Sequence, residues 1–158
     1  MLILIQFSIL IVLLTGSTLV AWYEGSTLLQ KPWEWNYSTP ISHILHGGVE
    51  SRDQISQVDY FVYAAKFQPA FPIVMVLSSV YIIFLIGYHF FKYRPKRFAY
   101  YLSFWGIIFL ILNLLIHHSP TVGGQILFYI WSLFAFLSLG IAAILYFGSF
   151  NIGKGGTA

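Results

Sequence analysis

Four apolar runs set the layout of the chain: residues 2–23, 71–91, 98–117 and 125–147. Each is long enough to span a bilayer, since about 20 residues rising 1.5 Å each cross a hydrocarbon core of about 30 Å. None of the four contains Asp, Glu, Lys or Arg. The pattern predicts four transmembrane helices. The first run reads as a retained span and not a cleaved leader. It has no basic residue ahead of it, its apolar part is too long, and no small-x-small cleavage site follows.

Residues 24–70 break this pattern. They mix polar and apolar positions too evenly for a disordered linker, and structureless loops of this length are unusual. Trp33, Trp35 and Tyr37 alternate, so an extended conformation would put them on one face. Thr39-Pro40 reads as an N-cap and a first-turn proline, opening a short helix through His46 that Gly47-Gly48 ends. Ser51 and Gln54 have capping-box spacing. The helix they predict runs to about residue 66, with Ile55, Val58, Phe61, Val62 and Ala65 as an apolar face and Gln57, Asp59, Tyr63 and Lys66 elsewhere. Such a helix would lie at the membrane surface or pack on the ends of the spans. A strand pair is the rival for the β-prone run 60–63. Pro69 and Pro72 then punctuate the entry to the second span.

Charge gives the pattern a direction. Lys92-Tyr93-Arg94-Pro95-Lys96-Arg97 places four cations and a proline in six residues between spans two and three. Clustered Lys and Arg beside a span mark the cytoplasmic side. Lys92, Arg94, Lys96 and Arg97 therefore put both termini in the cytoplasm, with the 148–158 tail inside and the 24–70 segment outside. All five acidic residues fall in that outer segment, against Lys31, Arg52 and Lys66, so it nets −2. The inner parts, with Lys154, carry +5, which closes to the overall +3. The expected fold class is an all-α membrane protein, with four transmembrane helices in an up-down bundle and a partly helical outer segment between spans one and two. The location is the plasma membrane, multi-pass, as a single membrane domain over 1–158.

Composition agrees and narrows the chemistry. The chain is 58% hydrophobic and 8% charged, where soluble domains carry about 25% charged residues. The pI near 9.2 arises mainly from the one basic turn, so it marks topology and not nucleic-acid binding. The absence of cysteine excludes thiol catalysis, disulfides, thiolate metal sites and Fe–S clusters.

Little else points to chemistry. An ion-coupled transporter needs a charge or a broken helix at mid-depth, and neither is visible. Asn113 in span three is expected to hydrogen-bond across helices, as is Gln6 in span one. Ser132, Ala135, Ser138 and Ala142 fall near one face of span four and should let another helix approach closely. His89 and His117 sit at opposite ends of neighbouring spans, roughly 25 Å or more apart by helical rise, so they cannot share one haem iron. His43, His46, His117 and His118 should all lie on the outer side. They form a candidate site for Zn, Cu or haem. No Gly-x-Ser-x-Gly or His-Glu-x-x-His occurs.

The runs Ala21-Trp22-Tyr23-Glu24-Gly25-Ser26, Pro32-Trp33-Glu34-Trp35 and Asp59-Tyr60-Phe61-Val62-Tyr63-Ala64-Ala65-Lys66 resemble small uncharacterised four-span membrane proteins of Bacillus-type bacteria. The resemblance implies a bacterial plasma membrane and carries no activity or site. The leading expectation is a non-enzymatic accessory or assembly subunit without a cofactor. Trp33, Trp35, Tyr37, Asp59 and Tyr63 would form its contact surface for a membrane protein partner or a second copy. A metal- or haem-binding redox protein using the outer histidines is the alternative. An enzyme acting on lipid or envelope precursors is a third.

Overall fold

The computed structural model describes the backbone of residues 2–154 and the side chains of residues 3–148. Among the described residues all regular structure is helical. Seven α-helices follow in order: α1 Leu2–Gly25, α2 Trp35–Ser38, α3 Pro40–His46, α4 Gln57–Phe67, α5 Ala70–Phe91, α6 Pro95–Ile116 and α7 Val122–Lys154. Short 3-10 turns at Ser26–Gln30, Pro32–Glu34 and Arg52–Gln54 link the small helices. The segments Ile3–Gln30, Ala70–Phe91, Pro95–Ile116 and Val122–Gly148 are long and apolar enough to cross a membrane.

These boundaries have local causes. Hydroxyls inside α1 return to its own carbonyls, Ser8 Oγ to Leu4 O at 2.9 Å and Thr18 Oγ1 to Leu14 O at 2.7 Å. An apolar helix can therefore carry them without unsatisfied polar groups. Gly47 ends α3 in the left-handed region, φ 73°, where a side chain is disfavoured. Pro95 occupies the first turn of α6, where its missing N–H is harmless. Gly124 N donates to Thr121 Oγ1 at 3.2 Å, capping the start of α7.

α7 outruns its expected end. The sequence places a tail at 148–158, yet the helix continues to Lys154. Glycine stops a helix best by turning left-handed, and Gly47 is the one described residue with positive φ. Residues 155–158 and the side chain of Lys154 lie outside the described residues.

The chain forms two compact units. The first contains the residues up to Tyr81 with Thr121–Gly124, and the second contains Ile82–Pro120 with the residues from Gln125 on. In the second unit Phe109 is buried at the centre of an aromatic cluster, 5.4 Å from Trp131, 6.3 Å from Phe84 and 6.3 Å from Phe134 between ring centroids. Ala135, Ser138 and Ala142 are buried on α7. Gly106 of α6 meets that face so closely that a Cβ there would lie 2.8 Å from the Leu139 side chain. Asn113 Nδ2 donates to Ser132 Oγ at 2.7 Å, and its carbonyl oxygen is buried without a partner. Tyr101 OH bonds Ile83 O at 2.9 Å.

Candidate functional site

The stretch between α1 and α5 is a folded head with its own core. Leu28, Trp35, Val49, Ile55, Tyr60 and Tyr63 pack together, with Leu29 against them. Trp35 donates its indole N–H to Leu28 O at 3.0 Å, so the buried ring keeps its polar atom satisfied. Lys31 Nζ donates to Tyr63 OH at 2.7 Å and lies 5.4 Å from the same ring centroid. The ammonium therefore stays solvated by the phenol while its stem covers the core.

Asp59 is the hub of the polar interior. It is fully buried. Its Oδ1 accepts from Ile41 N at 3.0 Å, and its Oδ2 accepts from Ser42 N at 2.9 Å and from Ser42 Oγ. Ser42 Oγ in turn accepts from Ser56 N at 2.7 Å. Asp59 thus caps α3 from 17 residues away, placing a carboxylate at the positive end of that helix. Thr39, expected to cap α3, sends its hydroxyl to Trp35 O instead. With its proton on Asp59 and its lone pair on Ser56 N–H, buried Ser42 has no approach for a substrate. The Ser–Asp pair is architectural.

Lys66 closes the head from the far end of α4. Its Nζ donates to Tyr37 O, beyond which α2 stops, and to Ser38 Oγ at 3.4 Å. Ser38 Oγ donates to Glu34 Oε2 at 3.1 Å. Burial holds the Lys66 ammonium below the ordinary lysine range, and the nearby Glu34 carboxylate partly offsets that.

The expected contact residues separate into two groups. Trp33 and Tyr37 project, 68% and 77% exposed, while Trp35, Asp59 and Tyr63 are buried within the head. The alternating strip is not extended. Pro32–Glu34 is a 3-10 turn and Trp35–Ser38 is helical, so successive residues point around an axis and Trp35 turns inward. The sequence pattern did not single out Ile44 and Leu45 of α3, which are 81% and 65% exposed. Their signal was an apolar pair in a seven-residue helix.

The apolar face expected for α4 is also revised. The helix begins at Gln57 behind Ser56, whose Oγ accepts from Val58 N at 3.3 Å. Gln54 Oε1 does accept from Ser51 N at 3.3 Å, but on the 3-10 turn ahead of it. α4 buries Asp59, Tyr60, Tyr63 and Ala64, and leaves Val58 exposed. Two long-range contacts override the stripe. The α3 amides draw Asp59 inward, and Gly25 lets the end of α1 reach the Tyr60 carbonyl.

Among the described residues no three or more His, Cys, Asp or Glu side chains group as a metal site. His43 is half-buried with Nε2 enclosed and unpartnered, and His46 is exposed. His117 and His118 stand edge to face at 4.8 Å in the second unit, with His117 against Phe128.

A family profile described as a domain of unknown function matches residues 4–91, the stretch from α1 through α5 that contains the whole head. The uncharacterized protein YjdJ of Bacillus subtilis (strain 168) is 39% identical over 79 residues, covering 49% of this chain and 71% of that protein. No solved structure matches the chain. By the span of the profile and the identity of that relative, the chain belongs to the DUF4306 family.

Proposed function

We propose that the protein is a non-enzymatic plasma-membrane subunit. Its four spans run up and down as one bundle with both termini cytoplasmic, and its head recognises the outer part of another integral membrane protein. One observation carries this reading. Asp59 and Lys66 spend their hydrogen bonds inside the head, while Trp33, Tyr37, Ile44 and Leu45 stand 65–81% exposed on it. A surface that presents apolar and aromatic groups on a head braced from within suits protein contact, where such residues become anchors. The basic 92–97 turn and the acidic 24–70 segment support the assigned orientation.

The test is site-specific photo-crosslinking in native membranes, with the reactive group at position 33 or 44. A discrete protein adduct at both positions is expected, and it should be lost when Tyr37→Ala and Leu45→Ser are added. Adducts to lipid alone at both positions would reduce the head to a headgroup anchor and remove the partner reading.

A further inference from the structure

The turn between α5 and α6 is the most concentrated charge in the sequence, and among the described residues no carboxylate forms an ion pair with it. Lys92, Arg94, Lys96 and Arg97 are all exposed. All five Asp and Glu residues of the protein lie between Glu24 and Asp59 in the sequence. Lys92 Nζ sits 4.7 Å from the centroid of the Tyr93 ring. The side chains of Arg94, Lys96 and Arg97 have no partner among the described residues. The first turn of α6 carries no acidic residue to offset them. Arg94, Pro95, Lys96 and Arg97 border one open, shallow patch of surface.

The neighbourhood of the turn locates this cluster at a membrane boundary. It joins two helices that are each apolar enough to cross a bilayer. The flanking Tyr88 and Tyr93 are 54% and 85% exposed, and tyrosine gathers at headgroup level. Guanidinium groups present paired donors that match phosphate oxygens, and Lys96 adds a point charge. We propose that Lys92, Arg94, Lys96 and Arg97 form a binding site for the phosphate of an anionic phospholipid headgroup.

Each cation near an anionic surface contributes about 1 kcal/mol, or about fivefold in affinity. Neutralising three of them should therefore cost about a hundredfold. Purified full-length protein in detergent, titrated with phosphatidylglycerol or phosphatidylcholine and read by native mass spectrometry, tests this. Preferential retention of phosphatidylglycerol is expected, abolished in Arg94→Gln/Lys96→Gln/Arg97→Gln and kept in Arg94→Lys/Arg97→Lys. Should the neutral variant not fold, the wild-type protein still decides. Its preference must collapse as ionic strength rises from about 0.1 M to 1 M, where the Debye length falls from about 10 Å to about 3 Å. Equal retention of the two lipids overturns the proposal, as does a preference unchanged by the three substitutions or by salt. Displacement of the lipid by inorganic phosphate at equal concentration would make free phosphate the occupant and overturn it too.

Discussion

Asp59 gives up its water entirely and takes three donors from α3 in exchange. Removing the carboxylate strands the amides of Ile41 and Ser42 and the Ser42 hydroxyl inside the head. Losing a helix cap costs about 1–2 kcal/mol, and each buried donor left unmet adds about 1–3 kcal/mol. With three donors stranded, Asp59→Ala should therefore destabilise the head by about 4 kcal/mol or more, with Asp59→Asn intermediate because one acceptor oxygen remains. Amide hydrogen exchange at Ile41 and Ser42 is the direct readout, and protection at wild-type level in Asp59→Ala would contradict the cap. The residue was visible in the sequence, but its role was not. An acidic residue in the first turn of α4 reads as serving its own helix, and nothing local says that it serves another one 17 positions earlier.

At the scale of elements, the head is held where backbones touch. A Cβ on Gly25 would lie 2.0 Å from Tyr60 O, and one on Gly123 would lie 2.0 Å from Ala65 O and 2.8 Å from Lys66 O. In the second contact the start of α7 meets the last carbonyls of α4, so opposite ends of two helix dipoles face each other. Both obstacles are backbone atoms that cannot rotate aside. Gly25→Ala and Gly123→Ala should each cost about 1–3 kcal/mol through forced separation of the helices. Gly16, where an added methyl group would meet nothing within 4 Å, supplies the control, and Gly16→Ala should stay within about 0.5 kcal/mol of wild type. Thermal unfolding in detergent, followed by Trp fluorescence, compares the three. Equal shifts would show that the close approaches do not matter.

Over the whole molecule, two facts combine: four apolar helices and opposite net charge on the first two connections between them. The chain has no cysteine, so single thiols can be introduced without background. With an impermeant maleimide applied from outside intact cells, Gly48→Cys should label at once. Tyr93→Cys should label only after the membrane is opened. Labelling of both from one side would break the odd number of crossings between them.

The long helices were legible because lipid imposes the same requirement on every residue. A run that enters hydrocarbon must close its own backbone hydrogen bonds, and length and hydropathy suffice to find it. The short helix Pro40–His46 was legible for a similar reason, since Pro40 and Gly47 are local start and stop chemistry, although its cap comes from Asp59 and not from Thr39. The interior of the head was not legible. Whether Trp35 turns in while Trp33 turns out, or whether α4 buries Tyr63 and leaves Val58 outside, depends on groups far apart in the chain. Those choices belong to tertiary structure, because a mixed polar and apolar segment offers several faces of similar hydrophobicity. The one chosen is the face that lets Asp59 meet the α3 amides and Trp35 meet the Leu28 carbonyl.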